Sequence, residues 1–179
     1  MLFQELLIGV TGFFRDPEAF VFLENTALPR LLAERPEQHA LRVWVPGCST
    51  GEEAYAIAIL LHECLEHMKK SCAVQIFATD LNGQAIEKAR AGLYPENIAV
   101  DVGPERLERC FRKEDAHYRI KKEIREMIIF AQQNLLTDPP FTKIDLISCR
   151  NVLIYLNAEV QRQLLALFHY ALTQTGCCF

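Results

Sequence analysis

Short apolar runs alternate with helical patterns along this chain, and that alternation is the strongest constraint on its fold. Five runs rich in β-branched, aromatic or other apolar residues stand at 41–45 (LRVWV), 73–78 (AVQIFA), 127–131 (MIIFA), 144–148 (IDLIS) and, as the start of a strand, 176–179 (GCCF). A strand covered on both faces of a sheet is apolar along its whole length, so these runs are typical of parallel strands.

Helical patterns fill the intervals between these runs. They occupy residues 17–34, 51–69, 81–91 and 158–173. Strands that alternate with helices predict an α/β fold, in which helices cover a doubly wound, mainly parallel, Rossmann-like sheet. The chain has 179 residues, 50% of them hydrophobic, which suffices for one domain with a full core.

One segment interrupts the alternation. Residues 94–126 precede the third strand and hold a short helix candidate at 104–111 and a polar strand candidate at 118–121. A connection of about thirty residues is much longer than an ordinary link between a helix and a strand. We therefore interpret 94–126 as a small inserted subdomain. The chain then divides into a leading segment with its helix, 1–35, and a main domain, 36–179, that carries the insertion.

Composition excludes several classes of protein. The net charge is −4, so the chain lacks the basic excess of a nucleic-acid-binding protein. No uncharged apolar run reaches about eighteen residues, so no segment is expected to span a membrane. The seven cysteines include no Cys-x-x-Cys pair, which favours buried thiols in a reducing cytoplasm over a disulfide or zinc framework. The histidines show no metal-ligand spacing, and we expect no metal.

The most informative motif is VPGCSTGEE at residues 45–53, where a strand leads through a turn into a helix. Gly47 and Gly51 let the backbone approach a ligand closely, so we include both in a predicted cofactor site. The helix that begins with Glu52 and Glu53 offers its N-terminal N–H groups to a carboxylate or phosphate. An ordinary strand-to-helix turn explains one glycine but not the paired carboxylates. The spacing is neither G-x-G-x-x-G nor G-x-x-x-x-G-K-[ST], which argues against a nicotinamide-dependent oxidoreductase and against a phosphate-binding loop.

Asp80 ends the second apolar run and is the second candidate for ligand binding. A carboxylate at this position can accept hydrogen bonds from both ribose hydroxyls of a nucleoside. Taken alone, it is better explained as the N-cap of the next helix. With the glycine turn upstream, a nucleoside contact is the better interpretation. A helix N-terminus for a tail carboxylate, Glu53 for a tail ammonium and Asp80 for the ribose together suit S-adenosylmethionine better than a dinucleotide.

Two further motifs flank these elements. TGFFRD (11–16) places two aromatic residues beside Arg15 ahead of the first strand, and a hydrophobic staple with a surface arginine explains it equally well. CRNVLIYL (149–156) follows the fourth strand, with Arg150 and Asn151 at its carboxyl end and Tyr155 four residues on. Turn chemistry accounts for Asn151, whereas a buried arginine requires a partner.

Taken in order, these motifs resemble the CheR-type chemotaxis protein methyltransferases. The matching stretches, in the same order and spacing from Thr11 to about Tyr170, are TGFFRDPEAF, RVWVPGCSTGEEAYAIA, IFATDLNGQAIEKARAGLY, QNLL and FTKIDLISCRNVLIYL. The resemblance implies a protein-glutamate O-methyltransferase. Such an enzyme transfers a methyl group from S-adenosyl-L-methionine to glutamate carboxylates of chemoreceptors and leaves S-adenosyl-L-homocysteine.

The resemblance also implies roles for individual residues. The cofactor contacts that it implies are Thr11, Arg15, Glu53, Asp80, Asn134, Leu135, Arg150 and Asn151. Asp80 would hold the ribose, and Asn134 and Leu135 would lie beside the adenine. The expected catalytic residues, which face the methyl group and the substrate, are Arg15, Arg150 and Tyr155.

Partners follow from the same resemblance: the substrates would be cytoplasmic helices of chemoreceptors or related sensors. The insertion at 94–126 resembles the small β-subdomain with which this family contacts receptors. Family members carry an N-terminal helical domain before TGFFRD and further strands after GCCF. We therefore expect the last strands of the sheet to be missing and this chain to belong to a longer protein with flanking signalling domains. Gly9 stands where members often carry asparagine, which predicts the loss of one cofactor contact.

Two alternative functions stay open at this point. One is a methyltransferase for a small-molecule acid, against which the inserted subdomain argues. The other is a degenerate or truncated module that binds cofactor or a partner without turnover. Gly9 and the expected missing strands favour that module, whereas the intact Glu53, Asp80 and Arg150 oppose it.

Overall fold

The computed structural model describes residues 11–33 and 39–179, except for the side chain of Tyr155, so Gly9 lies outside the described residues. The strands are β1 (Leu41–Pro46), β2 (Val74–Asp80), β3 (Leu93–Pro95), β4 (Phe111–Glu114), β5 (His117–Ile120), β6 (Ile128–Gln132), β7 (Ile144–Ile147) and β8 (Leu172–Cys178). The helices are α1 (Pro17–Phe22), α2 (Leu28–Ala33), α3 (Glu52–Met68), α4 (Gly83–Ala91), α5 (Ala99–Val102), α6 (Pro104–Cys110), α7 (Lys122–Arg125) and α8 (Ala158–Ala171).

The main sheet has five strands in the order β6-β2-β1-β7-β8, and every pairing in it is parallel. This arrangement confirms the predicted doubly wound, mainly parallel α/β fold. The first four apolar runs each form a strand, with bounds that differ by one or two residues from those expected. Because all five strands run the same way, their carboxyl ends meet at one edge of the sheet, where ligands bind in such folds.

The fifth strand begins earlier than its apolar run suggested. Residues 172 and 173 were expected at the end of a helix, but α8 stops at Ala171 and β8 starts at Leu172. Leu172 pairs with Ile144 of β7, and the Thr173 hydroxyl donates to Asp145 Oδ1 at 3.4 Å. These partners lie on a distant strand, so the helical periodicity of the sequence contains no signal for the boundary.

The predicted helix at 17–34 is broken in its described part. A π-helical turn, Leu23–Ala27, separates α1 from α2. Pro29 supplies a physical reason, because it has no N–H to donate to the preceding turn and is tolerated only in the first turn of a helix. The break places Pro29 in the first turn of α2, and Glu34 lies outside the described residues.

Helix α3 forms the centre of the larger core. Ten of its seventeen residues are buried, beginning with Ala54 and Tyr55 directly after the glycine turn. A second cluster surrounds Trp44 of β1 on the other face of the sheet and includes Phe168 of α8. The sheet is thus covered on both faces, as its uninterrupted apolar strands require. Within residues 11–33 and 39–179, no helix is long and apolar enough to cross a membrane.

A second, antiparallel sheet in the order β3-β5-β4 lies in the segment that interrupts the alternation. It starts at Leu93, and the candidates at 104–111 and 118–121 correspond to α6 and β5. Aromatic contacts join this sheet to the N-terminal segment: Phe13 packs edge-on against Tyr94 and Phe111. The domain boundaries at 35/36 and 94–126 stay predictions.

A buried ion pair ties this small sheet region to the main domain. The Glu63 side chain on α3 is only 7% exposed, and Arg106 of α6 donates to both of its oxygens at 2.9–3.2 Å. Arg106 also reaches Glu24 at 3.0 Å, so one guanidinium joins three segments of the chain. Because a buried charge without a partner is costly, the three segments are stabilised in this arrangement.

We predict that Arg106→Met lowers the free energy of unfolding by about 2–4 kcal/mol, because Glu63 is left buried without its main partner. Urea denaturation measures the change. The double variant Glu63→Gln/Arg106→Met should recover part of the loss, since it removes both charges. Lys122→Met breaks the exposed Lys122–Glu126 pair and serves as a control, with an expected change within about 0.5 kcal/mol. Equal effects of Arg106→Met and Lys122→Met would contradict this account.

Candidate active site

The turn after β1 lies at the carboxyl edge of the sheet and is built on three left-handed residues. Gly47, Ser49 and Gly51 have φ values of 70°, 49° and 95°. The turn is tied to β2, since Cys48 N donates to Thr79 O at 2.9 Å and Ser49 N donates to Asp80 Oδ2 at 2.8 Å. These bonds fix the turn in place just before the first residue of α3.

The two glycines make room for protein side chains. A Cβ on Gly47 would overlap the Cγ2 methyl of Val152, and one on Gly51 would lie 2.9 Å from Ala89 Cβ. Glycine is therefore required at both positions for internal packing as well as for the positive φ. The expected close approach of a ligand stays a prediction, whereas the close approach of Val152 is present.

Asp80 is held at the end of β2 by two backbone groups. Its Oδ2 accepts from Ser49 N and its Oδ1 accepts from Asn82 N, both at 2.8 Å. The N-cap of α4 is Asn82, whose side chain accepts from Gln84 N and Ala85 N. The alternative explanation of Asp80 as a helix cap is therefore wrong. Each carboxylate oxygen retains capacity for a second hydrogen bond, which suits the two hydroxyls of a ribose.

The carboxylates Glu52 and Glu53 lie at the start of α3 in different surroundings. Glu52 accepts from the Thr50 hydroxyl at 2.7 Å and from the hydroxyl of Thr11. Glu53 accepts from the buried Ser148 hydroxyl at 2.6 Å, across to the end of β7. Burial raises the pKa of both groups above the ordinary value for glutamate, and the hydrogen bonds counteract that increase.

The Arg150 side chain is only 10% exposed and is held by the N-terminal segment. Its Nη2 donates to Arg15 O and to Asp16 Oδ2, both at 2.7 Å, and its guanidinium lies over the rings of Phe20 and Phe179 at 4.9 and 5.0 Å. These contacts supply the partner that a buried arginine requires. Its Nη1 is also buried and has no hydrogen-bond partner within the described part of the chain. An orphaned donor of this kind at the carboxyl edge fits an anionic group of a ligand.

Asn134 and Leu135 follow β6, the strand beside β2. The pairing continues beyond the strand ends, because Gln133 N donates to Asp80 O at 2.9 Å. This brings the two residues to the same edge as Asp80. The Asn134 side chain accepts from Leu136 N, and Leu135 packs against the cluster around Trp44.

The remaining predicted residues lie around the same edge with different exposure. Arg15 is exposed, and its positive charge lowers the pKa of Glu53. Asn151 is half-buried and has φ 60°, and Tyr155 belongs to a short 3-10 turn, Leu153–Tyr155. Phe14 and Asp16 also adopt positive φ, so left-handed non-glycine residues gather in the segments that frame the site. Such backbone strain is concentrated at functional sites in many proteins.

The thiols near this edge are not poised as nucleophiles. Burial raises the pKa of Cys48 well above its usual value, and the charge of Asp80 adds to that effect. Burial and the neighbouring Glu53 raise the pKa of Cys149 to about 12. Both side chains are therefore neutral thiols near neutral pH, and the chemistry of the site rests on its carboxylates and arginines.

Comparison with known families bears directly on this arrangement. The family model described as CheR methyltransferase, SAM binding domain, matches residues 9–179. The chain belongs to the CheR methyltransferase family. It is accordingly an S-adenosylmethionine-binding domain of the CheR type. The half-buried Glu53 carboxylate and the doubly anchored Asp80 are chemically suited to the ammonium and ribose of that cofactor, and the orphaned Arg150 Nη1 is suited to an anionic group beside them.

Relatives of the CheR domain differ in how far they extend beyond it. A Rhodobacter capsulatus protein, named as an uncharacterized 104.1 kDa protein in the hypE 3′ region, is 45% identical over 98% of this chain and 18% of its own length. The chemotaxis protein methyltransferase of Borreliella burgdorferi is 36% identical over 91% of this chain and 59% of its own. Chemotaxis protein methyltransferase 1 of Pseudomonas aeruginosa is 36% identical over 100% of this chain and 67% of its own length. The chain spans less than two thirds of the length of each of the first two relatives, at 18% and 59%.

A solved structure supports the CheR fold assignment at the level of architecture. The CMeT domain of citrinin polyketide synthase matches with a TM-score of 0.54 over 90% of this chain and 33% of that one. The sequence identity is 17%, so the likeness concerns the fold alone.

Several contacts around the CheR site have no counterpart in the sequence analysis. Asp16 as partner of Arg150, Ser148 as partner of Glu53, and Asn82 as helix cap were not named there. The motif IFATDLNG gives a signal for Asn82, because asparagine one residue before a helical glycine is a typical cap. For Ser148 and Asp16 there is no local signal, since their partners lie 95 and 134 residues away.

We predict that Gly47→Ala lowers the free energy of unfolding of this CheR domain by about 2–4 kcal/mol, because left-handed strain and overlap with Val152 add together. Chemical denaturation measures the loss. Gly103→Ala is a control without overlap, because nothing lies within 4 Å of the new Cβ, and its backbone, with φ 80° and ψ 156°, is of a kind found almost only in glycine. We expect it to lose about 1–3 kcal/mol from strain alone. Val152→Ala should restore stability in the Gly47→Ala background and not in the Gly103→Ala background, and an equal response of the two would contradict the packing argument.

Proposed function

We propose that the chain is the catalytic domain of a protein-glutamate O-methyltransferase that modifies cytoplasmic helices of chemoreceptors or related sensors. The observation that carries the proposal is the combination, at one edge of a CheR-family sheet, of Asp80, Glu53 and Arg150. Relatives that bear the name chemotaxis protein methyltransferase support the choice of substrate. On this proposal the protein acts in the cytoplasm.

The cofactor residues are assigned by chemistry and position. Asp80 binds the ribose hydroxyls, because both of its oxygens are oriented by backbone N–H groups. Glu53 pairs with the ammonium group of the amino-acid tail, and Asn134 and Leu135 border the adenine. Thr11 contributes through Glu52, whose carboxylate accepts from both threonine hydroxyls beside it.

The reaction needs no general base. When bound, S-adenosylmethionine supplies an electrophilic methyl group, and a glutamate carboxylate is already ionised at neutral pH. Catalysis then rests on positioning and on electrostatics. Arg150 Nη1 or the exposed Arg15 would hold one oxygen of the substrate carboxylate so that the other faces the methyl group, and Tyr155 would contact the substrate.

The partner interaction is assigned to the small antiparallel sheet. In the proposed enzyme, the predicted insertion at 94–126 contacts the sensor, while the carboxyl edge of the main sheet carries the chemistry. Since longer relatives extend well beyond this chain, flanking signalling domains are part of the proposal.

We predict that the purified chain binds S-adenosylhomocysteine at one site and that Asp80→Asn weakens binding by about 10–100-fold, because a charged acceptor for the ribose is lost. Isothermal titration calorimetry measures both. Glu87→Gln is a matched control, since Glu87 lies on the helix that follows Asp80 but is exposed and pairs with Arg90. A folded wild-type chain that binds nothing would favour the degenerate module over the enzyme.

Methyl transfer provides the test of substrate class. With tritiated cofactor, we expect incorporation into cytoplasmic receptor fragments that alkaline hydrolysis releases, and none into small-molecule acids. Arg150→Lys should lower the rate at saturating cofactor by about 100-fold, because one ammonium cannot replace both edges of the guanidinium. Its affinity for S-adenosylhomocysteine should change by less than about threefold.

The control for this variant is Arg162→Lys, which alters an exposed arginine on α8 and should leave transfer unchanged. Parallel loss of transfer and of cofactor affinity in Arg150→Lys would move Arg150 from the substrate to the cofactor. Transfer to small acids but not to receptor fragments would replace the proposed substrate class.

A further inference from the structure

A serine hydroxyl connects the end of β7 to the start of α3. Ser148 is fully buried, and its Oγ donates to Glu53 Oε1 at 2.6 Å. Its backbone is fixed as well, because Ser148 N donates to Trp44 O at 2.9 Å. The donor therefore comes from the rigid sheet, and the acceptor is the second residue of the helix that the glycine turn begins.

Glu53 needs such a donor because its carboxylate is half-buried and has lost part of its hydration. Desolvation raises its pKa, which favours the neutral acid. The Ser148 hydroxyl opposes that shift most strongly, followed by the positive charges of Arg150 and Arg15, while Asp16 acts in the opposite sense. The ionisable groups that face Glu53 from the surrounding segments are Arg15, Asp16, Cys48, Cys149 and Arg150.

The geometry also fixes the direction in which Glu53 points. Ser148 engages Oε1, so one oxygen of the carboxylate is held by a residue at the end of the sheet. A carboxylate held at one oxygen presents the second in a defined position. A cation at that position gains a charge-assisted bond without first having to order the glutamate side chain.

We propose that Ser148 is a positioning residue of the cofactor site, whose hydroxyl orients Glu53 and keeps it ionised for the ammonium group of the cofactor tail. The inference rests on the proposed function only for the identity of that ammonium group. The contact between Ser148 and Glu53 stands on its own and can be tested without cofactor.

The first measurement is the titration of Glu53 in the cofactor-free chain, followed by carbon-13 NMR of side-chain carboxyl groups. The signal is assigned by its absence in Glu53→Gln. In Ser148→Ala we expect the Glu53 midpoint to rise by about one pH unit, because a hydrogen bond to the charged form is lost. An unchanged midpoint would overturn the proposal.

The second measurement is the affinity for S-adenosylhomocysteine as a function of pH. Protonated Glu53 cannot pair with an ammonium group, so wild-type affinity should fall as the pH drops through the raised pKa of Glu53. Ser148→Ala should show the same decrease at a pH about one unit higher, so that it binds about tenfold more weakly than wild type once the pH lies below both midpoints. Glu53→Gln should remove this pH dependence.

Two further variants separate positioning from a merely structural role. Ser148→Thr keeps a hydroxyl, so its pH midpoint should return towards wild type even if the extra methyl lowers stability. Thr79→Val removes a buried hydroxyl from the end of β2, where Thr79 Oγ1 accepts from Trp44 Nε1 at 3.1 Å. It should lower stability and leave the midpoint unchanged. If Thr79→Val shifts the midpoint as much as Ser148→Ala, the effect is structural and the proposal fails.

The two measurements fail in different ways. A wild-type chain that binds no S-adenosylhomocysteine at any pH, while Ser148→Ala still shifts the Glu53 titration, would refute the proposed function and leave the control of Glu53 by Ser148 intact. A wild-type chain that binds, with identical pH profiles for wild type and Ser148→Ala, would refute the positioning role and leave the proposed function intact.

Discussion

The close approach of the turn after β1 to the segment after β7 is the constraint on which the rest of the site depends. The space at Gly47, where a Cβ would stand, is filled by Val152, and the Ser148 hydroxyl reaches Glu53 at 2.6 Å. Both contacts require β1 and β7 to be adjacent and parallel, because only then do their carboxyl ends meet. Sheet order therefore determines the chemistry of the edge, and side chains far apart in sequence form a single site.

Local patterns predicted the elements whose cause is local. The apolar runs identified the first four strands of the main sheet, because a strand that is buried on both faces is apolar at nearly every position. The start of β8 and the break before α2 were missed. Leu172 leaves its helix because β7 offers it a pairing partner, and Pro29 changes hydrogen bonding without changing the apolar periodicity. For β8 the deciding interaction lies on a distant strand, whereas for α2 the deciding residue lies inside the segment but does not alter its apolar periodicity.

The candidate site shows the same division between residues and their partners. Asp80, Glu53 and Arg150 could be named from motif and resemblance, because each has an unusual charge at a strand or helix end. Their partners could not be named, since Ser148 and Asp16 are ordinary residues that become important through distant contacts. Asp80 is instructive, because its position alone favoured a helix cap and only the glycine turn upstream favoured a ligand contact. The hydrogen bonds of Asn82 exclude the cap, and the ligand contact stays a prediction.

The glycine turn is in direct contact with the small antiparallel sheet as well. The Tyr94 hydroxyl in β3 donates to Thr50 O at 2.7 Å, and the Tyr94 ring packs against Phe13 at 4.9 Å. One buried side chain thus touches the turn that begins α3 and the segment that supplies partners to Arg150. A partner that displaced β3 would have to break the hydrogen bond to Thr50 or carry the turn with it. Because a tightly packed interior transmits strain, a displacement of β3 would be felt first at Thr50, in the turn that begins α3.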